Sequence, residues 1–421
     1  MDVERARISH HASTAAAHLR TLARDFGVRL LDVPTGTPPG PNPEIPRQST
    51  NLHALATRRG EKGGLGPCLV TGAAGFLGRN LVEALLERGC RVRALVHSTP
   101  LRIEHERLEC VRGDVRDRDA MGRACEAIES VFHTAARIGL LGGRAVTEEY
   151  RRPIHEVNVG GTENVLAACR EQGVVRLVYT SSVDVCFDGA PIENMNRQTP
   201  YASHPKSVYA ETKIAAERRV LRANGEGGLL TCALRADGIY GPGENLILDP
   251  LVKNLAAGRL KLAIGSAASL QDNSYIDNLV HGELLAARHL VPGGRACGKA
   301  YFITDYEPQN VFEFFRPLIE GLGFEVPERR IPRGLLHPVL KLWELLHFRI
   351  GIAPPPITPH ELDKISVTHY GSIEEAEREL GYRPIKSVRQ ALQECLPYCE
   401  SLVAACRGTA ADGSGGDLTP T

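Results

Sequence analysis

The chain has 421 residues, of which 43% are hydrophobic, and its 50 Lys and Arg residues balance its 50 Asp and Glu residues. This composition is typical of a globular protein with a sizeable core, and the zero net charge argues against nucleic acid as a partner. The 11 cysteines have neither a disulfide-scaffold nor a zinc-site spacing. We therefore expect reduced thiols, no metal site and a cytoplasmic protein.

The two ends of the chain lack the apolar periodicity of a folded segment. Prolines crowd residues 34–46 and glycines crowd residues 60–66, which predicts a disordered N-terminal extension and linker over 1–66. We recognise no secretory or organelle-targeting pattern within these residues. Residues 407–421 are mostly small and polar, and this composition predicts a disordered tail.

Between 67 and 300, short β-branched runs alternate with longer amphipathic stretches. This alternation predicts an α/β fold, a Rossmann-type doubly wound parallel sheet with helices on both faces. The predicted strands are 68–71, 91–96, 108–112, 130–133, 176–180 and 230–234. Residues 301–406 are predicted mainly as a smaller C-terminal substrate-binding cap, to which about 186–206 and 241–275 also contribute.

A glycine-rich turn follows the first predicted strand. It reads Gly72-Ala-Ala-Gly75-Phe-Leu-Gly78 and leads into an amphipathic helix. In such a turn the first glycine permits the tight bend, the second admits a pyrophosphate, and the third lets helix and strand pack closely. We predict that Gly72, Gly75, Phe76, Leu77 and Gly78 bind the pyrophosphate of a dinucleotide.

The end of the second predicted strand bears on cofactor choice. An acidic residue there would hold the adenosine ribose and repel a 2′-phosphate, but residues 95–99 include none. His97 and Arg102 could instead accept a phosphate. NADP(H) is therefore the preferred prediction, with NAD(H) as the alternative.

Two further strand ends are predicted to reach the cofactor. Asp114 and Val115 follow the third strand and Ala135 follows the fourth, where folds of this type bring the chain against adenine and ribose. Asp114 has a second interpretation as a helix cap or turn residue, and both interpretations stay open.

Tyr209 and Lys213 stand four residues apart, on one face of a predicted helix. A phenol is a poor base at neutral pH, and a neighbouring ammonium favours its phenolate. The same lysine can hold a nicotinamide ribose. Ser182, at the end of a predicted strand, is placed to orient a substrate oxygen. The three residues predict a catalytic trio for alcohol and ketone chemistry.

Together these motifs resemble the extended short-chain dehydrogenase/reductase family, and most closely its 3β-hydroxysteroid dehydrogenase/isomerase branch. The segments that carry the resemblance are 71–78, 113–115, 158–162, 179–182, 209–213, 234–243, 275–278, 300–304, 312–317 and 367–370. The resemblance implies that Tyr209 is the acid/base, Lys213 its ribose-holding partner and Ser182 the donor to the substrate oxygen. It also implies that Asn158 supports the active-site backbone and a water chain.

The resemblance implies hydride transfer to or from a secondary alcohol or ketone of a bulky apolar substrate, with a 3β-hydroxysteroid as the best single choice. Three alternatives stay open: a long-chain 3-oxoacyl-type reductase, a non-catalytic dinucleotide-binding regulator, and a nucleotide-sugar epimerase or dehydratase. The last needs basic residues for a diphosphate, for which Arg316, Arg329, Arg330 and Arg333 are candidates. These arginines also fit a solvated surface.

The segment 335–352 is the most apolar helical pattern after the predicted sheet. The residues that recur on one face are Leu336, Leu340, Trp343, Leu346 and Ile350. This stripe predicts a helix packed on the domain, and a peripheral membrane contact, at the endoplasmic reticulum for example, is the open alternative. A homodimer is a further open prediction.

Overall fold

The computed structural model of the protein describes residues 64–143 and 145–411. Its centre is a seven-stranded sheet in which all paired strands run parallel, in the order β11-β7-β5-β4-β1-β2-β3. These strands are β1 (Cys68–Thr71), β2 (Val92–Val96), β3 (Leu108–Arg112), β4 (Ser130–His133), β5 (Arg176–Ser182), β7 (Leu230–Ala236) and β11 (Lys299–Phe302). The Rossmann-type prediction is confirmed.

Three predicted strands have different bounds in the structure, and one strand of the central sheet was not predicted. β2 begins at Val92, one residue later than predicted. β5 and β7 each run two residues further than predicted, because Ser181 and Ser182 pair with Arg235 and Ala236. The edge strand β11, which pairs with β7, was not among the predicted strands. The predicted domain boundary at residue 300 therefore falls inside a strand of the central sheet.

Helices cover both faces of the sheet. In chain order they are α1 (Phe76–Glu87), α2 (Arg118–Cys125), α3 (Glu148–His155), α4 (Gly161–Glu171), α5 (Val208–Arg222), α6 (Leu248–Ala256), α7 (Ile276–His289), α8 (Val311–Gly321), α9 (Arg333–Ile350), α10 (Pro359–Ser366), α11 (Glu374–Leu380) and α12 (Val388–Ala411). The predicted helix at 335–352 corresponds to α9. The helix α12 continues to Ala411, into the segment that the composition predicted to be disordered.

Two apolar clusters fill the space between sheet and helices. One lies under α2, α4 and α5 and includes Leu69, Val165 and Leu177. The other lies under α1 and α7 and extends through Phe314 of α8 to Leu392 of α12. The segment 301–406, which was predicted mainly as a cap, therefore also packs against the central sheet.

Three two-stranded sheets join distant segments beside the central sheet. They pair β6 (Ile192–Met195) with β13 (His369–Gly371), β8 (Ile239–Tyr240) with β10 (Ser274–Tyr275), and β9 (Ala263–Ile264) with β12 (Arg330–Ile331). Two of these pairs, β6 with β13 and β9 with β12, bring the segments 186–206 and 241–275 against the C-terminal part of the chain. Of the predicted N-terminal extension only 64–66 is described, and Leu65 there is buried in the core; the rest lies outside the described residues.

Candidate active site

The turn between β1 and α1 has the geometry that close backbone approach requires. Gly72 has a φ of +67°, and a Cβ on it would lie 2.8 Å from the Cα of Ala135. A Cβ on Gly78 would lie 2.2 Å from the carbonyl oxygen of Gly72, so only glycine lets the helix pack this closely on the turn. Gly75 is the N-cap of α1 and makes no side-chain cap bond to it.

This helix end fits a dinucleotide. The first amides of α1, which include those of Phe76 and Leu77, have no side-chain cap, and an uncapped helix N-terminus favours an anionic group. Gly75 is exposed at the surface of the turn. The turn can therefore hold a pyrophosphate without displacing a side chain.

An ion-pair cluster occupies the ends of β2 and β3. The Asp114 carboxylate accepts two hydrogen bonds from the Arg116 guanidinium, at 2.9 and 2.6 Å, and lies 3.2 Å from His97 Nε2. These bonds lower the pKa of Asp114. The neighbouring Val115 is buried and packs against Gly161 at the start of α4. The cluster places a carboxylate beside His97, although the end of β2 itself carries none.

The helix α5, which carries the predicted catalytic residues Tyr209 and Lys213, packs against the end of β5. Lys213 on α5 is 2% exposed, and its Nζ donates a hydrogen bond of 2.6 Å to the backbone oxygen of Thr180. The same Nζ is 5.7 Å from the ring centre of Tyr209. Ser182 ends β5 two residues beyond Thr180, and its Oγ accepts a 3.2 Å hydrogen bond from the Asp184 amide. The three predicted catalytic residues therefore lie on two elements that contact each other.

Burial shifts the pKa values of both titratable members of the trio. It raises the pKa of the Tyr209 phenol, and the negative charge of Asp184 raises it further. It lowers the pKa of Lys213 to about 8, while Glu217 and Glu283 oppose this shift. In the cofactor-free site Tyr209 is therefore a protonated acid, and Lys213 is mainly charged at neutral pH but loses its proton at a lower pH than an ordinary lysine.

Asn158 connects the loop after β4 to the catalytic helix. Its Oδ1 accepts a 2.7 Å hydrogen bond from the Arg137 amide, and its Nδ2 donates to Thr212 Oγ1, next to Lys213, at 2.9 Å. The residue is 2% exposed and lies in a π-helical turn, Glu156–Gly160, between α3 and α4. Such turns are frequent at functional sites. The contacts support the predicted role of Asn158 in holding the active-site backbone.

A buried ionic cluster lies behind Ser182. Lys364 of α10 is 3.2 Å from Asp184 and 2.5 Å from Asp237, and His360 is 3.4 Å from Asp184. Lys364 and His360 lower the pKa of Asp184 against the effect of burial. Although the cluster gathers carboxylates and histidines, 64–143 and 145–411 contain no group of three or more His, Cys, Asp and Glu side chains placed to hold a metal ion.

The helix α9 lies over the loop 139–142, in which the Gly139 oxygen accepts a 3.0 Å hydrogen bond from the Tyr209 amide. Glu344 accepts a 3.0 Å hydrogen bond from the Gly142 amide, and the Phe348 ring packs edge-on against Tyr150. The predicted stripe contacts the domain only in part, since Leu340 is buried and Ile350 is 40% exposed. A second apolar row faces outward; it consists of Leu335, Val339, Leu342 and Leu345.

Several residues of the site were not predicted from the sequence. Thr180, Asp184 and Glu283 each contact or electrostatically influence a member of the trio. Their partners are distant in the chain, so no local spacing marks them. Glu217 does have a signal, because it follows Lys213 by one helical turn. Its carboxylate is bound by Arg235 and by the Ser181 hydroxyl.

Comparisons with known proteins agree with this geometry. Residues 69–333 match the model of the 3-beta hydroxysteroid dehydrogenase/isomerase family. A "3 beta-hydroxysteroid dehydrogenase/Delta 5-->4-isomerase" of Mycobacterium tuberculosis is 46% identical, over 80% of this chain and 91% of that protein. The mouse (Mus musculus) protein "Short-chain dehydrogenase/reductase family 42E member 1" is 40% identical, over 75% of this chain and 83% of the relative.

A solved structure, "MoeE5 in complex with UDP-glucuronic acid and NAD", superposes with a TM-score of 0.62. It is 25% identical and covers 80% of this chain and 99% of its own. The family match and the relatives confirm the resemblance that the motifs indicated. The chain belongs to the 3-beta hydroxysteroid dehydrogenase/isomerase family, and it is a nicotinamide-dependent oxidoreductase that acts on CH–OH groups.

Proposed function

We propose that the protein interconverts a 3β-hydroxysteroid and its 3-ketone, with Tyr209 moving the proton of the steroid oxygen. The observation that carries this proposal is the placement of the trio. Lys213 is anchored on Thr180, two residues before Ser182, and shares a helix with Tyr209. A relative named for this steroid activity, 46% identical over 80% of the chain, supports the substrate class.

Each member of the trio has a separate task. When bound, a nicotinamide accepts or supplies the hydride at the carbinol carbon. In the oxidation direction the hydroxyl proton leaves the substrate oxygen for Tyr209, and in the reduction direction Tyr209 returns it. Ser182 orients that oxygen. The Lys213 ammonium lowers the cost of a negative charge on Tyr209 and holds the ribose.

We propose a preference for NADP(H) over NAD(H). The Asp114 carboxylate beside His97 is held by Arg116, so its charge is compensated and does not act alone against a 2′-phosphate. Arg116→Ala would release that charge. We expect the variant to bind NADP(H) several-fold more weakly than the wild type and NAD(H) about equally, as measured by calorimetry. A wild type that prefers NAD(H) contradicts the proposal.

A nucleotide-sugar substrate is the second enzymatic candidate, and two of the four arginines it would need are engaged in ion pairs. Arg316 binds Glu313 and Glu320 on the surface of α8, and Arg333 binds Asp363. A diphosphate would have to displace these carboxylates. The apolar α9, which contacts the loop 139–142 at the start of α5, favours a bulky apolar substrate instead.

We also propose a peripheral membrane contact through α9. Its outward leucines stand beside the exposed Lys341 and Arg349, and this combination suits an anionic lipid surface. Among the described residues no helix is long and apolar enough to cross a bilayer. The endoplasmic reticulum as the site of contact and the homodimer stay predictions; light scattering of the purified protein would test the latter.

The deciding experiment for the function is a substrate panel. Purified protein is mixed with NADP⁺ or NAD⁺ and, separately, a 3β-hydroxysteroid, a long-chain 3-hydroxyacyl compound or a nucleotide sugar. The absorbance of reduced nicotinamide is followed for the first two, and the sugar product is followed by NMR, because epimerisation or dehydration causes no net reduction of the nicotinamide. We expect turnover with the steroid. Turnover with only the acyl compound or only the nucleotide sugar would replace the proposed substrate, and turnover with none would refute the proposal.

A further inference from the structure

A carboxyl group lies buried beneath the end of β5, on the opposite side of Thr180 from the catalytic lysine. Glu283, on α7, is 0% exposed. Its Oε1 accepts a 2.6 Å hydrogen bond from Thr180 Oγ1, and its Oε2 has no hydrogen-bond partner in the described part of the chain. Burying an unpaired carboxylate is costly. A glutamate at this position therefore calls for an interaction that offsets the cost.

Thr180 joins this carboxyl group to the active site. Its hydroxyl bonds Glu283, while its backbone oxygen receives the Lys213 ammonium at 2.6 Å. A change in the position or charge of Glu283 can therefore alter the position of Lys213 through Thr180 alone.

Two carboxylates raise the pKa of Lys213, and within the described residues only one of them, Glu283, is not also bound by an arginine. Glu217, the other carboxylate that acts on Lys213, is bound by the Arg235 guanidinium, which approaches its Oε1 to 2.6 Å. On the β7 side Glu283 faces the thiol of Cys232, whose pKa is raised by burial and by Glu283. Within the described residues Lys213 is the one cation that shifts the pKa of Glu283. Besides Tyr209, the other titratable groups near Lys213 are Tyr179, whose ring centre is 4.5 Å from Nζ, and the buried His133, whose pKa burial and Lys213 lower.

We propose that Glu283 is a positioning residue of the dehydrogenase, which acts through Lys213 by fixing Thr180 and by keeping the lysine ammonium charged. The inference rests on the proposed function for its catalytic meaning. Its physical content, the coupling of Glu283 to Lys213, does not depend on the substrate.

The coupling extends the working range of the site toward alkaline pH. Burial raises the pKa of Glu283 to about 7 and lowers that of Lys213 to about 8. Each group favours the charged form of the other, since Lys213 lowers the pKa of Glu283 and Glu283 raises that of Lys213. The negative charge of Glu283 therefore helps to hold the proton on Lys213. Without it, Lys213 becomes neutral at a lower pH and no longer favours a negative charge on Tyr209.

Glu283→Gln tests the proposal because the amide keeps the shape and the acceptor oxygen for Thr180 but removes the charge. The titration of Lys213 is followed in the cofactor-free protein by the NMR signal of ¹³C-labelled lysine Cε, assigned with Lys213→Arg. We expect the pKa of Lys213 to fall by about one pH unit. The alkaline limb of the kcat profile should move by the same amount.

Glu244→Gln is the matched control. Glu244 is 3% exposed and accepts hydrogen bonds from the amides of Ile247 and Leu248 at the start of α6, so its loss affects stability without a link to Lys213. We expect it to lower the melting temperature and to leave the titration of Lys213 unchanged. If it shifted that titration as far as Glu283→Gln does, the coupling would not be specific and the proposal would fail.

Thr180→Val is the second test, should Glu283→Gln not fold. Loss of the hydroxyl removes a bond that favours the charged form of Glu283, so the pKa of Lys213 should fall in the same direction by a smaller amount. An unchanged Lys213 titration in the folded variants overturns the proposal. Failure of the wild type to oxidise a steroid would refute the proposed function and leave this titration as an independent result.

Discussion

Tyr209, the proposed acid/base, illustrates how its surroundings set the protonation state of a side chain. Burial and Asp184 both raise the pKa of Tyr209, so the cofactor-free protein holds a phenol and not a phenolate. The sequence argument that a nearby lysine favours the phenolate describes only one of the charges present. Tyr209 is therefore ready to donate a proton, and accepting one requires Lys213 to carry its charge.

Replacement of Tyr209 by Phe removes the hydroxyl that moves the proton and leaves the ring. We expect kcat to fall about 10²- to 10⁴-fold, with dinucleotide affinity within about twofold of wild type by calorimetry. A tyrosine that served only packing would give the opposite pattern, a lower melting temperature and full activity per folded molecule. Turnover and melting temperature are therefore measured on the same sample.

The third glycine of the turn makes a sharper prediction than the first two. In Gly78→Ala the new Cβ would lie 2.2 Å from the Gly72 oxygen, so helix and turn must separate, and we expect lower stability together with loss of dinucleotide binding. Gly122→Ala in α2 is the control, because a Cβ there meets nothing within 4 Å. It should raise stability by about 0.5–1 kcal/mol. Thermal unfolding with and without cofactor measures both, and unimpaired binding by Gly78→Ala would remove the phosphate-turn assignment.

At the scale of elements, the sequence predicted those strands and turns that depend on residues close together in the chain. The six strands from β1 to β7 in the central sheet and the glycine turn follow from β-branched runs and spacing along the chain. The strand β11 is as long as the predicted β1 and β4, so its length does not explain the miss; it straddles the boundary that the sequence placed at residue 300. The strands β8, β9, β10 and β12 have two residues each. Strands this short carry too few residues for a period to show.

The residues of the site also fall into two groups, those that a local motif marks and those that only the tertiary fold brings together. Tyr209, Lys213 and Ser182 stand in recognisable segments, whereas Asp184 meets Lys364 only because β13 pairs with β6 and brings α10 to the end of β5. Contacts between residues so far apart in the chain depend on the tertiary fold. Sequence periodicity contains no information about them, which is why the ionic cluster and Glu283 were missed.

The helix α9 carries the prediction at this scale. Leu342 is 49% exposed in the outward row, and we expect Leu342→Glu to lower binding to phosphatidylserine-containing vesicles about tenfold, since a buried leucine contributes about 1.5–3 kcal/mol. Val291→Glu, at an exposed position away from α9, is the control and should bind as wild type does. Sedimentation with vesicles measures both. Equal binding of wild type and Leu342→Glu would exclude α9 as the contact.

At the scale of the whole molecule, buried carboxyl groups join segments that are far apart in sequence. Asp272 accepts hydrogen bonds from the amides of Asn273 and Tyr306, both at 3.0 Å. Asp305 accepts them from Tyr240 and Asn278. Burial raises the pKa of Asp272 to about 7 and that of Asp305 to about 6. The junction between the sheet and its neighbouring segments therefore titrates near neutral pH.

These raised pKa values set the sign of a pH effect on stability. An aspartate in the unfolded chain titrates near 3.9, so between about pH 4 and 7 the folded protein binds the Asp272 proton more tightly than the unfolded chain does. Stability from this group is complete below about pH 4 and is lost as the pH rises through 7. Asp184 acts oppositely, because its lowered pKa contributes stability above the unfolded value and loses it in acid.

Asp272→Asn isolates the effect at this junction. The amide keeps an acceptor oxygen for the Tyr306 amide but has no charge to bury, so we expect the variant to exceed the wild type in unfolding free energy by on the order of 2 kcal/mol at pH 8. The gain should shrink toward pH 4, where the wild-type carboxyl is already protonated.

Glu313→Gln is the control: Glu313 is exposed and its pKa is lowered by Arg316, so its replacement should give no gain at pH 8. Urea unfolding of the wild type and both variants at pH 4.5, 6 and 8 measures the difference in unfolding free energy, because these pH values lie on both sides of the raised pKa values of Asp272 and Asp305. A gain for Asp272→Asn that did not grow with pH would mean that the aspartate is not protonated in the folded protein, and that its bonds to the backbone amides outweigh its burial.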